Sequence, residues 1–290
     1  MIRSILVGLD GSEAAQSAAR GAAGLARRLG ARLRAVFVDD SAERARMTAL
    51  PITPGAPVGG AVPPAVLISL QDLEEETTRR RDETAEFIGG LAKETGLADL
   101  ALETVRGRPA DSIVRLGHQV DLLAVGRTGL SGGPGERKLG RTTEAVLHQA
   151  NKPVLVFSTQ QLDARVLVAY DGRHPANNAL AAACMLVKQT RTSPAHQPLE
   201  LVVLTVAETE RQAQPFLEEA RQYLLPHEVE ARLLWRAGTV SEAIVTQVNE
   251  AGGGLVAMGA FGQSRLREVF LGSHTRRVLL ACDWPVLLTR

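Results

Sequence analysis

The sequence predicts an α/β protein built from two doubly wound, five-stranded parallel-sheet domains in tandem. Three observations carry this expectation. A long-period repeat divides the 290 residues into two halves. Within each half, short apolar runs alternate with helix-like segments, the pattern of βαβ units covered on both faces. A glycine-rich loop stands between the last two apolar runs of each half, where a ligand of an open α/β sheet binds.

The repeat is legible at both ends of each half. The first half opens Ser4-Ile5-Leu6-Val7-Gly8-Leu9-Asp10-Gly11, the second Arg165-Val166-Leu167-Val168-Ala169-Tyr170-Asp171-Gly172. Each is a short apolar run ending in Asp-Gly. The first half closes with 121–126, glycines, then Lys152-Pro153-Val154-Leu155-Val156-Phe157; the second with 254–259, glycines, then Trp284-Pro285-Val286-Leu287-Leu288-Thr289. Domains are therefore expected at 1–158 and 164–290, with a polar linker around 158–163.

The elements follow in order. Residues 14–29 are rich in Ala, Leu and Arg, good helix formers, and Gly30 stands at the expected C-terminal cap. Strands are expected at 34–38 and 100–105, and helices at 72–95 and 110–119. In the second half, strands are expected at 199–206 and 228–235, and helices at 177–189, 211–225 and 240–250. From Val38 to Gly126 is 88 positions but from Val206 to Gly259 only 53, so the first half carries extra residues after its second strand. That stretch holds Pro51, Pro54, Gly55, Pro57, Gly59, Gly60, Pro63 and Pro64. Proline fixes φ and removes a donor, so 47–66 reads as a loop rather than a further domain. The charge-alternating run 74–86 reads as a solvated helix face with i,i+4 pairs.

Composition excludes several function classes. The formal net charge is +1 and aromatic residues are 3%, so neither a basic footprint nor a stacking platform for nucleic acid is present. No apolar run reaches the ~18–20 residues of a membrane span, and the N-terminus does not read as a signal peptide. Two cysteines, Cys184 and Cys282, make neither a disulfide scaffold nor a metal cluster, and the setting expected is a reducing cytoplasm. His118, His148, His174, His196, His227 and His274 form no metal-binding pattern, and both cysteines read as core residues.

The motif with the most chemistry is Gly259-x2-Gly262-x9-Gly272-Ser273, lying after a strand and before a helix at 273–281. Glycine lets backbone approach an anion, and a helix start presents free N–H groups. Amides near Gly262 and Gly272 are thus expected to receive phosphate, with Ser273 capping the helix or donating to a phosphate oxygen. Neither a G-x-x-x-x-G-K-[ST] loop nor a G-x-G-x-x-G after the first strand occurs. The first half has Gly126-x2-Gly129, then ten residues before Gly140, with Arg141 following. The extra residue is expected to shift the loop amides relative to the helix start. Arg127, Arg137, Lys138 and Arg141 are read either as compensating phosphate partners or as a solvated basic loop.

On these residues the chain resembles a tandem universal stress protein, with two copies of that domain. The resemblance rests on Leu9-Asp10-Gly11-Ser12, Phe37-Val38, 121–126 and the run 259–290, whose G-x2-G-x9-G-[ST] is that of the ATP-binding branch. It implies strand order 3-2-1-4-5, and a nucleotide flanked by the aspartate after strand one and the residue ending strand two. The implied ATP site is Asp171, Val206, Gly259, Gly262, Gly272 and Ser273, with His274 and Thr275 nearby; Mg²⁺ is an optional companion. The corresponding first-half positions are Asp10, Val38, Gly126, Gly129, Gly140 and Thr142. The resemblance also implies a pseudo-dimer within the chain through the two last strands, open to further pairing as a homodimer. The functions it leaves open are a stress-related, nucleotide-dependent sensor or regulator, a slow Mg²⁺-dependent ATP hydrolase without an evident base, and a nucleotide-free scaffold or binder of another small ligand.

Overall fold

The computed structural model describes residues 1–48, 70–130, 132, 137–158, 162–191, 197–260 and 271–290. The first half comprises β1 (Ser4–Leu9), α1 (Glu13–Leu29), β2 (Arg32–Asp39), α2 (Ser41–Thr48), α3 (Leu70–Thr95), β3 (Leu102–Arg106), α4 (Pro109–Gly117), β4 (Leu122–Gly126), α5 (Arg141–Gln149) and β5 (Val154–Phe157). The second comprises β6 (Arg165–Ala169), α6 (His174–Arg191), β7 (Glu200–Val206), α7 (Glu210–Leu224), β8 (Ala231–Arg236), α8 (Val240–Glu250), β9 (Leu255–Gly259), α9 (Ser273–Ala281) and β10 (Val286–Thr289). A short 3-10 turn at Leu225–His227 follows α7.

The strands form one sheet in the order β3-β2-β1-β4-β5-β10-β9-β6-β7-β8. Each half therefore has the expected order 3-2-1-4-5. Pairing is parallel within each half and antiparallel between β5 and β10. At that junction Leu155 faces Leu287, its counterpart in the repeat. Equivalent residues meeting each other is what an approximate two-fold axis requires.

The apolar runs are continuous because both sheet faces are covered. On β1, Ile5, Val7 and Leu9 enter the core packed by α1, α3, α6 and α7. Leu6 points the other way, into the core packed by α4, α5, α8 and α9. Each such fully buried aliphatic side chain contributes roughly 1.5–3 kcal/mol.

Local signals place the helix ends. Ser12 caps α1 by accepting from the Ala15 amide at 3.2 Å, and Gly30 ends it at φ 61°. The helix α2 was not expected; it opens the extra stretch after β2. The rest of the predicted 47–66 loop lies outside the described residues, apart from the end of α2. The run 74–86 is only partly a solvated face. Arg79–Glu83 and Arg80–Glu76 are indeed i,i+4 pairs, but Thr77, Arg80 and Thr84 are buried. With Leu73, Ile88 and Leu91 they form a stripe at three- and four-residue spacing that turns α3 onto the domain.

Candidate functional site

In each half the strand order reverses between its first and fourth strands, and a cleft opens beyond their carboxyl ends. The second-half cleft, about 850 Å³, is lined by Asp171, Val206, Gly259, Gly272, His274 and Thr275 among others. The first-half cleft, about 310 Å³, is lined by Asp10, Val38, Gly126, Gly129, Gly140 and Thr142 among others. Thirteen of the fourteen predicted positions can thus be located, and twelve of them line the two clefts. Ser273 adjoins the second cleft as the exposed first residue of α9, and Gly262 lies outside the described residues.

The helix starts carry the anion-binding chemistry. Gly140 and Gly272 are the N-caps of α5 and α9, and neither helix has a side-chain cap. The first helical bonds run from the Glu144 amide to Gly140 O and from the Arg276 amide to Gly272 O, both 2.9 Å. The amides of the three residues between have no acceptor within the helix, and the positive helix pole adds to their pull on an anion. These are 141–143 in the first half and 273–275 in the second.

Two expectations change at this point. The Gly272 amide does not point to a ligand; it donates to Ala260 O at 3.1 Å. Ser273 does not cap α9, because the cap position belongs to Gly272. Thr275 is also committed: its buried hydroxyl donates to Gly259 O and Ala260 O, both 3.2 Å, so only its backbone is free for phosphate. The loop-length expectation changes too. Gly140 N donates to Arg127 O at 2.9 Å and Thr143 Oγ1 to Gly126 O at 2.7 Å, the same two staples at equivalent places. Despite the extra first-half residue, the helix start keeps the same position relative to the strand.

The glycines ending β4 and β9 serve packing. A Cβ on Gly126 would stand 2.7 Å from the backbone C and O of Ala14, and one on Gly259 would stand 2.6 Å from Pro175 Cβ. Both let the first helix of the half approach the strand end. The Asp-Gly turns need glycine for a different reason, since Gly11 and Gly172 sit at φ 87° and 73°.

The aspartates before them differ. Asp10 Oδ1 accepts from the Ser12 amide at 2.9 Å and hydroxyl at 2.6 Å, and Oδ2 from the Leu130 amide at 3.2 Å. It ties the glycine loop to the first turn. Asp171 is exposed, accepts only from the Arg173 amide at 3.1 Å among the described residues, and lies 3.6 Å from the Arg173 guanidinium. Val38 and Val206 end their strands at the cleft floor.

The side walls differ more, and here the sequence reading missed residues. Arg44 of α2, Arg80 of α3 and Asp40 line the first-half cleft. Arg80 is 7% exposed, donates to Asp10 O at 3.1 Å and Thr77 Oγ1 at 3.2 Å, and lies 5.9 Å from the Phe37 ring centroid. Glu76 reaches Arg44 at 3.3 Å and Arg80 at 3.5 Å. Burial pushes the Asp40 carboxyl above the usual range, although Arg44 and Arg80 pull it down. In the second half, Phe216 and Glu219 of α7 stand beside the Gly172 turn instead. Burial, and then Glu219, push the Tyr170 hydroxyl upward; it donates to Asn177 Oδ1 at 2.6 Å.

Arg127 belongs to neither reading given for it. It is buried and reaches across the β5·β10 junction, donating to Cys282 O at 3.0 Å and Leu279 O at 3.3 Å at the end of α9, with Asp283 at 3.7 Å. Arg290 makes the reciprocal contact, donating to Leu147 O and His148 O at the end of α5. Arg141 lines the first-half cleft, whereas Arg137 and Lys138 are exposed. Cys184 and Cys282 are buried free thiols, and burial pushes Cys282 up to about 11. Of the histidines, His174 and His274 line the second cleft. His196 lies outside the described residues. Among the described residues, no group of three or more His, Cys, Asp or Glu could hold a metal ion.

Comparison with known proteins agrees with this architecture. The universal stress protein family model matches residues 1–158 and 164–290, and the chain belongs to that family. It is 29% identical over 300 residues to universal stress protein Slr1230 of Synechocystis, covering 100% of both chains. It is 29% identical over 145 residues to universal stress protein YxiE of Bacillus subtilis, covering 43% of this chain and 98% of that protein. Among solved structures, a universal stress protein from Archaeoglobus fulgidus superposes with TM-score 0.71 at 20% identity, covering 99% of this chain and 98% of the other. That last likeness concerns the fold.

Proposed function

We propose that this universal stress protein binds ATP in its second-half cleft and acts as a nucleotide-dependent sensor or regulator in the stress response. The observation that carries this reading is the start of α9, without a side-chain cap and with three amides that have no acceptor within the helix, at the mouth of the 850 Å³ cleft. It sits at the end of the Gly259-x2-Gly262-x9-Gly272-Ser273 run that the ATP-binding branch of the family carries. The amides of Ser273, His274 and Thr275 receive the phosphates. Asp171 and the backbone of Val206 flank the base and ribose at the other end. Gly259 and Gly272 hold the strand end and the helix start in register, and Gly262 lies between them in the sequence. Mg²⁺ would accompany the triphosphate rather than occupy a protein cluster, since no group of three or more His, Cys, Asp or Glu among the described residues could hold it. Asp10, Val38, Gly126, Gly129, Gly140 and Thr142 form the second, smaller site. The β5·β10 junction is the intramolecular counterpart of a dimer interface. No described helix is long and apolar enough to cross a membrane, and buried free thiols suit a reducing cytoplasm.

The test exploits the helix start. Ser273→Glu places a carboxylate on the first turn of α9, where it favours the helix and opposes phosphate. ATP should raise the melting temperature of the parent chain, and Ser273→Glu should abolish most of that rise while leaving the unliganded melting temperature unchanged or higher. An undiminished rise in the variant overturns the assignment. Extraction of the purified chain should release adenine nucleotide.

A further inference from the structure

Each cleft receives two helix starts, one after the glycine loop and one after the Asp-Gly turn, and the second kind differs between the halves. In the first half it belongs to α1, capped by Ser12 and carrying Glu13 in its first turn. In the second half it belongs to α6, whose first helical bond runs from the Asn177 amide to Arg173 O at 2.9 Å, so Arg173 takes the cap position. An arginine side chain has no acceptor with which to cap a helix. Neither α6 nor α9 has an acidic residue in its first turn, whereas α1 has Glu13 and α5 has Glu144. Instead, each of these first turns carries a histidine that lines the second cleft, His174 on α6 and His274 on α9. The first half has Glu13 and Thr142 at the corresponding positions. Both histidines are exposed. His274 has no side-chain partner among the described residues, and His174 Nδ1 lies 3.4 Å from Asn178 Nδ2, which also donates to Arg290 O.

The other charges around the two rings are largely paired. Asp171 and Arg173 lie 3.6 Å apart after β6, and Glu219 of α7 stands beside Gly172 at that same end. On α9, Arg276 pairs with Glu144 of α5 and Arg277 is exposed. On α8, Glu242 accepts from the Thr239 hydroxyl at 2.7 Å, and Arg290, after β10, is engaged by Leu147 O and His148 O. The two imidazoles, a group that changes charge between pH 5 and 8, therefore set how the charge of this cleft varies with pH. We propose that the second-half cleft is a proton-coupled phosphate site, in which His174 and His274 take up protons as the phosphates enter and so tighten binding as the pH falls from 8 to 6. This rests on the nucleotide reading of that cleft and adds its regulation, by acidification. A phosphate beside an imidazole favours the charged ring. Affinity then rises as pH falls through the raised titration of the complex and levels off below that of the free ring. His274 carries the larger share, because a proton on His174 Nδ1 gives up the contact with Asn178. The first cleft, with Glu13 and Thr142 in these places, lacks the dependence.

Proton uptake is read by calorimetry, as the dependence of the ATP binding enthalpy at pH 7 on the ionisation enthalpy of the buffer. The chain used is full-length Arg141→Glu, in which a carboxylate at the start of α5 opposes phosphate in the first cleft. The terminal phosphate of ATP titrates in this range as well, so each value is taken against the same chain carrying His174→Gln and His274→Gln. The chain with both histidines should take up roughly one proton more per ATP, the sum of two rings each raised by about one unit. The ratio of its affinity to that of the double variant should be at least about tenfold larger at pH 6 than at pH 8. Taken singly, His274→Gln should remove more of the uptake than His174→Gln. Unliganded urea midpoints report whether each variant is folded. Equal uptake with and without the two rings, or an affinity ratio that does not move with pH, overturns the proposal, while the ATP binding seen in the same titrations upholds the nucleotide reading. No ATP bound by the Arg141→Glu chain at either pH removes that reading, and the proposal with it.

Discussion

The two halves of this chain hold the backbone around their glycine loops in the same way and clothe it with different side chains. Gly140 and Gly272 donate to the residue after the strand, and Thr143 and Thr275 return their hydroxyls to the strand end. Around this common frame, Asp10 is tied to Leu130 while Asp171 is exposed, and Arg80 stands beside the Gly11 turn where the second half has Phe216 and Glu219 beside Gly172. The frame is a matter of backbone valence, which one residue more or less in the loop does not disturb. The walls are free to diverge, because they decide what enters the cleft rather than whether the sheet forms.

The strongest way to break this comparison is at the arginine joining the halves. Arg127→Met removes the donors that hold Leu279 O and Cys282 O, leaving buried carbonyls unpaired, and should cost ~2–3 kcal/mol in urea unfolding. Arg290→Met, on the more exposed reciprocal contact, should cost about 1 kcal/mol. Equal losses would mean that the two crossings are equivalent after all.

Gly126→Ala and Gly259→Ala sharpen the shared part. Each new methyl meets backbone or a proline ring well inside normal contact, and overpacking of this kind costs roughly 1–3 kcal/mol. Similar destabilisation in both is expected from the common frame. A neutral Gly259→Ala would separate the halves at their strand ends. Thr143→Val and Thr275→Val probe the staple itself. The first removes a 2.7 Å bond, the second two bonds of 3.2 Å, and each should lower stability by ~1 kcal/mol.

The smallest effect is at the other end of the strands. Asp121 accepts from the amides of Arg3 and Ser4 and from the Ser4 hydroxyl, tying β1 to the approach of β4; the second half has Gly254 there. Burial alone would raise this carboxyl, but the three bonds outweigh it and hold it below the usual range. Its contribution is therefore present above the ordinary carboxylate pKa and lost as pH falls through the lowered one. Asp121→Asn should lower the urea midpoint slightly at pH 7 and flatten its decline below about pH 4, so that the two chains converge in acid. A parallel decline in both chains would remove Asp121 from the acid response.

Much of this was legible in the sequence. The repeat, the strand and helix succession and the position of both clefts follow from apolar alternation and from Asp-Gly and glycine-loop landmarks. Helices 240–250 and 273–281 fall where expected. What escaped depended on contacts between distant segments. Arg80 sits in a run that reads as solvated charge. Its place in the Leu73, Thr77, Arg80, Thr84, Ile88, Leu91 stripe was the available signal, hidden because three members are polar. Arg127 gives no local sign that its partners lie beyond residue 278. The spacing of Gly272 and Ser273 located the helix start within one residue, but a cap depends on φ and ψ, and the position went to the glycine.

The antiparallel seam at Leu155 and Leu287 leaves neither closing strand without a neighbour. The margins of the sheet are then β3 and β8, at opposite extremes of one ten-stranded array. Loss of either half would uncover an apolar strand of the survivor, so heating should disassemble the array in a single calorimetric step rather than half by half.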